Sequence, residues 1–249
     1  MTRLVGIITD RDLVRRGLAQ DLAATAGVEK VMTSPVVTID ADADLHAAFT
    51  LFRAHAVRRL AVVDGDEFVG MITVDDLLVD LAVDPSDLAR PIAAEVFIPA
   101  GWADLSQPST ESNAPTTVTD ETGYLDPSDP VRLYVSDDLI RIGADATLHQ
   151  IAQRLAAEGV GALVVVDGDH VLGVISERDV VRAVAAAKDL NSTTAADIDA
   201  RHVVTCTPDT TVHAAAALMM EHYVRHLLVE DRTGPIGMVS ARDLLGAYA

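Results

Sequence analysis

The sequence predicts an α/β (α+β) protein built from four β-α-β-β-α repeats, the first of them partial, that pair into two modules. Two observations support this prediction: one short pattern occurs four times, and similar helix and strand signals precede three of its copies. Internal repeats of this kind indicate that each repeat folds as one supersecondary unit. Because a unit of about 55 residues is too small to bury its own sheet well, we expect the units to pack in pairs.

The repeated pattern is a glycine, two apolar residues, a threonine or serine, two variable residues, an aspartate and a further apolar residue. The first and second copies begin 64 residues apart, as do the third and fourth, whereas 103 residues separate the second from the third. The chain therefore contains two pairs of repeats with extra sequence between the pairs. The four copies are Gly6–Leu13, Gly70–Leu77, Gly173–Val180 and Gly237–Leu244.

The first copy lies close to the beginning of the sequence, where Val5–Ile8 reads as a strand and Leu13–Leu18 as a helix. The other copies are preceded by about 35 residues of patterned sequence. We interpret residues 1–22 as the closing part of a first repeat, and we expect the pocket of Thr9 and Asp12 to lack its own wall. A late start codon, a truncated chain or completion by a dimer partner would each account for it. We expect that the chain is either less stable than one extended by about 35 residues, which would cover apolar surface, or relies on a partner.

Each of the other repeats begins with a short β-rich stretch, followed by a helix, an apolar strand, a turn and the strand that enters the glycine. In the third repeat, apolar residues at positions 148, 151, 152 and 155 fall on one helical face. The runs LAVVD, LVVVD and LLVED have the length and composition of half-buried strands. The expected N-caps of the first helices are Asp44, Thr147 and Thr211.

The sequence between the pairs has a different composition. Residues 84–130 contain seven of the ten prolines, nine acidic residues and one basic residue. This polar, proline-punctuated stretch indicates a linker or long loop. The predicted division is residues 1–22 for the remnant of repeat 1, 23–83 for repeat 2, 84–130 for the linker, 131–190 for repeat 3 and 191–249 for repeat 4.

The composition limits the classes of function. A net charge of −19 argues against a nucleic-acid partner, since nucleic-acid affinity depends mainly on lysine and arginine. No apolar run is long enough for a membrane span, and the beginning of the sequence lacks the features of a signal peptide, so we expect a cytoplasmic protein. The single cysteine, Cys206, excludes an intrachain disulfide.

The repeat pattern closely resembles the CBS domain, and the two pairs resemble Bateman modules. The resemblance covers nearly the whole chain outside the linker. It implies a regulatory module without catalytic activity, and many members of the family bind AMP, ADP, ATP or S-adenosylmethionine. It also implies that the modules pair again, either as a homodimer or as an internal disc of both modules.

The hydroxyl and carboxylate of the repeated turn allow two interpretations. The structural one is a capping box, in which the hydroxyl and the carboxylate satisfy the first N–H groups of a helix. The functional one adds that a helix N-terminus attracts phosphate and that a carboxylate can accept the hydroxyls of a ribose. The resemblance assigns ribose and phosphate contacts to these pairs. They are Thr9 and Asp12, Thr73 and Asp76, Ser176 and Asp179, and Ser240 and Asp243.

Phosphate groups also require cations, and two repeats carry them at matching positions before the second strand. Repeat 2 has Arg58 and Arg59, repeat 4 has Arg225 and His226, and repeat 3 has Gly161 and an alanine there. Basic residues at this position often reach the phosphates in the family. The structural interpretation is that they are surface cations beside acidic neighbours.

The remaining site predictions concern the preference for phosphate number and the adenine wall. Acidic residues inside the turns would disfavour a triphosphate more than a monophosphate, which favours AMP or a similarly small adenylate over ATP. The first strands offer apolar side chains that could flank an adenine or could equally belong to the core. The acidic residues are Asp10, Asp75 and Glu177, and the apolar residues are Val204 and Cys206 in repeat 4 and Val37 and Ile39 in repeat 2.

Other reactive side chains are interpreted without a catalytic or metal-binding role. His46, His149 and His213 occupy one matching position near a helix start and are expected to be solvated. His222 and His226 should be separated by the end of a helix, and neither HExxH nor CxxC occurs, so we expect no metal site. Cys206 is expected to be a small buried residue.

These observations favour a non-catalytic regulatory protein whose paired repeats bind an adenine nucleotide and couple it to conformation or to partner association. The regulated partner is not encoded in the sequence, and a homodimer is expected from the resemblance. Two alternatives remain: an interaction scaffold whose threonine/serine and aspartate pairs are only caps, and a regulatory fragment of a larger enzyme or transporter.

Overall fold

The computed structural model describes residues 4–55, 57–76, 128–136, 139–198 and 203–246. Within these ranges the strands form three sheets of three strands each, and every sheet combines a parallel pair with an antiparallel pair. The predicted α+β class and the β-α-β-β order are confirmed in all three sheets. Most of the predicted linker lies outside the described residues.

Repeat 2 contains β1 (Thr38–Asp40), α2 (Leu45–His55), β2 (Arg59–Asp64) and β3 (Glu67–Thr73). Strand β2 is central, because β1 pairs with it in parallel and β3 pairs with it in an antiparallel hairpin. The pattern Thr-x-x-Asp begins at Thr73, the last residue of β3, and the next helix starts directly after it.

Repeat 3 has the same order, with β4 (Arg141–Gly143), α3 (Leu148–Glu158), β5 (Ala162–Asp167), β6 (His170–Ser176) and α4 (Glu177–Ala185). The central strand β5 is almost entirely buried, as expected for a continuous apolar run.

Repeat 4 contains β7 (Thr205–Cys206), α5 (Val212–Glu221), β8 (His226–Asp231), β9 (Gly234–Ser240) and α6 (Ala241–Gly246). Its hairpin has the same register as the hairpins of the other two sheets, including an irregularity in the middle of the central strand.

The segment assigned to repeat 1 supplies a helix but no sheet among the described residues. Helix α1 (Asp10–Asp12) continues into a π-helical turn over Leu13–Gly17 and a 3-10 turn over Leu18–Gln20. Ile7, just before α1, forms an antiparallel bridge with Thr33. The predicted helix is therefore present, whereas the predicted strand is reduced to one bridge.

The predicted N-caps are confirmed for the first helix of every full repeat. Asp44 Oδ1 accepts a hydrogen bond from the amide of Ala47 at 2.8 Å. Thr147 Oγ1 accepts from Gln150 at 3.3 Å, and Thr211 Oγ1 accepts from Ala214 at 3.1 Å. Each cap fixes where its helix begins, and so also where the preceding strand ends.

Among the described residues the core consists of two clusters, and each cluster is built mainly from one repeat of the first pair and one repeat of the second. Phe52 and Leu60 of repeat 2 pack with Met219 and Leu227 of repeat 4. In the other cluster, Val14 of repeat 1 packs against the buried face of α3 and strand β5 in repeat 3. Burying each large aliphatic side chain contributes about 1.5–3 kcal/mol, so the apolar contacts stabilise the packing of the two modules on one another.

Within the second pair, the repeats exchange backbone segments. The amide of Ser136, near the beginning of repeat 3, donates to the carbonyl of Met238 in β9 at 3.0 Å, and the reverse bond is 3.2 Å long. A Cβ atom on Gly237 would lie 2.7 Å from the carbonyl oxygen of Ser136. This close approach explains why a glycine stands at position 237.

None of the helices in the described ranges has the length and apolar character needed to cross a bilayer.

Candidate functional site

The starts of the closing helices of all four repeats meet around a central cavity of about 580 Å³. The walls also include the residues that precede the second strands of repeats 2, 3 and 4. The two positions singled out in the repeated pattern are thus brought together by the packing of the modules. The hydroxyl residues of the four turns all line this cavity: Thr9, Thr73, Ser176 and Ser240.

All four copies of the pattern have capping-box hydrogen bonds. The amide of Ser176 donates to Asp179 Oδ2 at 2.8 Å, and its hydroxyl donates to the same oxygen at 2.6 Å. The amide of Ser240 donates to Asp243 Oδ2 at 2.8 Å, and equivalent bonds join the pairs of repeats 1 and 2. The structural interpretation therefore holds for every copy. Because these bonds engage Oδ2, each carboxylate has a second oxygen that the cap does not use.

The two pairs of the first module differ in exposure. Asp12 is buried, and its Oδ1 accepts a hydrogen bond from the hydroxyl of Thr33 at 2.8 Å. Asp76 is exposed. The segment leading into the first strand of repeat 2 therefore covers the pocket of Thr9 and Asp12, where a wall from repeat 1 was expected to be missing.

A second, smaller cavity of about 150 Å³ lies beside Ser240 and Asp243. One side is formed by Leu139, Ile140 and Val160 of repeat 3. The cavity shares part of its wall with the central cavity, so the two spaces adjoin. The shared side chains are Arg11, Arg58, His226, Ser240 and Arg242.

The four residues proposed as an adenine wall have different locations. Val204 lines the central cavity. Cys206 and Ile39 are buried members of the core, and Val37 packs against that core. The apolar side beside Asp243 instead includes Ile140, which the sequence prediction missed. The repeat register contained the signal: Ile140 matches Val204 and Val37, but only the packing shows that a repeat lines the pocket of its neighbour.

Arg58 lies between the cavities in a crowded set of cations. Its Nη1 atom is 4.0 Å from an oxygen of Glu177, and the Nε atom of Arg11 is 3.1 Å from the other oxygen. Burial and the charge of Arg11 lower the pKa of Arg58 to about 10, although Glu177 opposes the shift. The carboxylate of Glu177 therefore does not offset the burial of Arg58 and the surrounding positive charge.

The equivalent residue of repeat 4, Arg225, is also paired with an acidic residue. Its Nε atom donates to Asp75 Oδ1 at 2.7 Å, and its Nη2 atom contacts Asp75 Oδ2. A longer pair joins Arg178 to Asp10 at 3.9 Å. Arg59 lines the central cavity as well. Two of the predicted cations, Arg58 and Arg225, thus face two of the predicted acidic residues, Glu177 and Asp75, across the repeats.

His226 is a neutral member of this wall at pH 7. Burial, followed by the positive charges of Arg58 and Arg225, lowers the pKa of His226 to about 3. A Cβ atom on Gly161 would lie 2.7 Å from Arg58 Nη2 and 3.3 Å from His226 Nε2. The absence of a side chain on Gly161 therefore allows both residues to approach the backbone of repeat 3.

The other histidines in the described ranges do not form a metal-binding cluster with Cys206. The described part of the chain contains no group of three histidine, cysteine or acidic residues placed to hold a metal ion. His46 is exposed, but the His149 side chain is only 15% exposed and lies 3.5 Å from Asp21, so the prediction of a solvated side chain is wrong for His149. His213 is half-buried, and α5 ends before His222 as expected. Burial raises the pKa of the Cys206 thiol to about 11.

Comparison with protein families gives one match, described as the CBS domain. It covers residues 28–82, 131–186 and 195–249, which correspond to repeats 2, 3 and 4. The matched ranges together make up more than half of the chain.

Curated relatives match over parts of the chain. Protein MJ1404 of Methanocaldococcus jannaschii is 27% identical over 187 residues, which cover 75% of this chain and 38% of that protein. The mitochondrial CBS domain-containing protein CBSX3 of Arabidopsis thaliana is 35% identical over 109 residues, covering 41% of this chain and 53% of the relative. The chain spans between 38% and 57% of the length of the first curated relatives it matches.

Two solved structures match nearly the whole chain. Protein MJ1225 of Methanocaldococcus jannaschii has a TM-score of 0.71 at 18% identity, covering 99% of this chain and 84% of the other. A conserved protein of Pyrococcus horikoshii has a TM-score of 0.62 at 22% identity, covering 99% and 87%. At these identities the likeness establishes the fold alone.

Proposed function

Since this chain belongs to the CBS-domain family, we propose that it is a non-catalytic regulatory protein that binds an adenine nucleotide, preferably AMP or a similarly small adenylate. The proposal rests on one observation: the small cavity beside Asp243 adjoins a larger cavity that is rich in arginine. Apolar and anionic parts of one ligand can therefore be accommodated side by side.

Each part of a nucleotide has a matching surface at this site. The base would lie against the apolar side formed by Leu139 and Ile140. The ribose hydroxyls would donate to the Oδ1 atom of Asp243, because Oδ2 already accepts the amide of the cap. The phosphate would face Arg58 and Arg242, which line both cavities.

A second candidate position lies around Ser176 and Asp179. These residues line the central cavity together with Val204, the apolar residue that matches Ile140 in the repeat register. Arg225 also lines this cavity. We expect this position to bind the same class of ligand, with the phosphate directed into the same central cavity.

Binding at the Asp243 site would couple the ligand to the arrangement of the repeats. The proposed contacts come from Arg58 in repeat 2, Ile140 in repeat 3 and Asp243 in repeat 4. A ligand that contacts all three favours the arrangement in which they converge, and it can thereby change self-association as a homodimer or contact with a regulated partner. We expect the site to bind its ligand reversibly, without catalysing a reaction, and we expect the protein to act in the cytoplasm.

Thermal unfolding and isothermal titration with AMP, ADP, ATP and S-adenosylmethionine test this proposal. Wild-type protein should be stabilised by AMP, and Asp243→Asn should weaken AMP binding at least tenfold, because the amide retains a cap acceptor but loses the charged partner of the ribose. The matched control is Asp169→Asn in an exposed hairpin turn, which should bind AMP like the wild type. Failure of all four ligands to shift the melting temperature would favour the interaction scaffold.

A further inference from the structure

Glu177 is a buried acidic residue that contacts cations from two other repeats. It is the first residue of α4, and only 3% of it is exposed. Its carboxylate lies 3.1 Å from Arg11 of repeat 1 and 4.0 Å from Arg58 of repeat 2. Charged residues are rarely this buried unless they are paired, so the position of the carboxylate is set by the arginines around it.

Asp75 makes the corresponding contact on another side of the central cavity. It lies in the repeated turn of repeat 2, and its carboxylate accepts hydrogen bonds from the Arg225 guanidinium at 2.7 and 3.0 Å. Arg58 and Arg225 hold the same position in repeats 2 and 4, directly before the second strand. Each of the two matching arginines is therefore faced by a carboxylate from a helix start in a different repeat.

We infer that Glu177 and Asp75 determine specificity by competing with the ligand phosphates for Arg58 and Arg225. The inference rests on the proposed function and names the groups that set its preference for phosphate number. A ligand phosphate and the side-chain carboxylate are both anions that seek the same guanidinium groups. Repulsion between them increases with each added phosphate, so the penalty is smallest for a nucleoside monophosphate and largest for a triphosphate.

The surrounding charges explain why removal of one carboxylate should increase anion binding. Arg58 is close enough to Arg11, Arg225 and Arg242 for their charges to lower its pKa. When Glu177 is replaced by its neutral amide, the mutual repulsion of these cations is no longer reduced by the carboxylate. A ligand phosphate is then attracted more strongly by these arginines and no longer competes with the carboxylate of Glu177, and both effects increase its affinity.

The experiment compares Glu177→Gln, Asp75→Asn and the double variant with wild-type protein by isothermal titration of AMP, ADP and ATP at one ionic strength. Each single variant should increase the affinity for ATP about tenfold and the affinity for AMP by a smaller factor, and the double variant should show the largest change in the ratio. The matched control is Glu158→Gln, which removes the same charge from a surface pair with Arg154. It should leave the ratio of the two affinities unchanged.

Inorganic tripolyphosphate provides a readout that does not depend on a base or ribose site. If the nucleotide proposal fails, stronger tripolyphosphate binding by the two variants would still support the competition. Equal weakening of AMP and ATP in both variants, or tripolyphosphate binding no stronger than in the wild type, would overturn the inference and make the carboxylates purely structural. The Asp75 side chain is 42% exposed, so Asp75→Asn keeps the test available if Glu177→Gln does not fold.

Discussion

His226 combines a position in the candidate site with a strongly perturbed ionisation. It is adjacent to Arg225 in sequence, lines both cavities and approaches Gly161 of repeat 3. Since its pKa is lowered to about 3 chiefly by burial, the ring is neutral at pH 7. It can therefore accept or donate one hydrogen bond to a ligand without adding positive charge to a wall that already contains several arginines.

The lowered pKa of His226 leads to a prediction about stability and pH. In the unfolded chain this histidine should titrate near its ordinary value of about 6.5. Between that value and about 3 the unfolded state binds a proton that the folded state excludes, so the free energy of unfolding should decrease as the pH falls. The slope from this group approaches about 1.4 kcal/mol per pH unit.

Urea unfolding at pH 7, 6 and 5 measures this effect above the usual range of the carboxylates. His226→Gln should have a flatter dependence on pH than the wild type, because the amide does not titrate. His170→Gln, at an exposed position in a hairpin, is the control and should retain the wild-type slope. Parallel pH profiles for His226→Gln and wild-type protein would contradict the assigned ionisation.

Helix α5 ends in a motif that is completed by an unusual residue. The amide of Tyr223 donates to the carbonyl of Met220 at 3.2 Å, and the amide of Val224 donates to that of Met219 at 2.9 Å. These are the two bonds of a Schellman motif, in which the residue after the cap adopts a left-handed conformation. Tyr223 has φ at 55°, whereas the matching residue of repeat 3 is Gly159, with φ at 71°.

Replacement of Tyr223 by glycine should therefore stabilise the protein by about 0.5–1 kcal/mol. Glycine removes the strain that a residue with a Cβ atom has in the left-handed conformation, and its larger loss of backbone entropy on folding cancels part of this gain. Tyr223 is 81% exposed, so little packing is lost. Tyr223→Ala should give no such gain, because alanine keeps the Cβ atom that causes the strain. Chemical unfolding of the three proteins measures the difference, and equal stability of the glycine and alanine variants would rule out backbone strain as its cause.

The elements were predictable from sequence to the extent that their signals are local. Caps such as Thr147, the turn at Ser176 and the apolar run of β5 act within a few residues, and all appear where the pattern predicts them. The composition of each pocket was not predictable in the same way. Thr33 covers Asp12, and Ile140 lies beside Asp243. Both contacts depend on how one repeat packs on another, and this packing cannot be read from a local sequence pattern.

At the scale of the whole molecule, the pairing in sequence and the pairing in the core are different. Repeats 3 and 4 exchange backbone segments, but the apolar clusters join repeat 2 to repeat 4 and repeat 1 to repeat 3. The central cavity lies where these two kinds of contact meet. A ligand bound there would contact residues from both modules, so its binding would be linked to the stability of the contact between them.

This architecture predicts that destabilisation spreads across the modules along the shared cores. Phe52→Leu, in α2 of repeat 2, should cost about 1–2 kcal/mol and should reduce amide protection in Val212–Glu221 of repeat 4 more than in Leu148–Glu158 of repeat 3. Val14→Ala, in repeat 1, should have the opposite distribution, since Val14 belongs to the cluster of repeat 3.

Hydrogen exchange of the two variants under native conditions makes each protein the control for the other. The crossed pattern is the diagnostic result, because a general loss of stability would reduce protection in both helices by the same factor. If both variants instead weakened the repeats of their own module and spared the second module, the shared cores would not be cooperative units. Ligand coupling through the central cavity would then have to act through the polar contacts, of which the pairs from Glu177 to Arg11 and Arg58 also join the two modules.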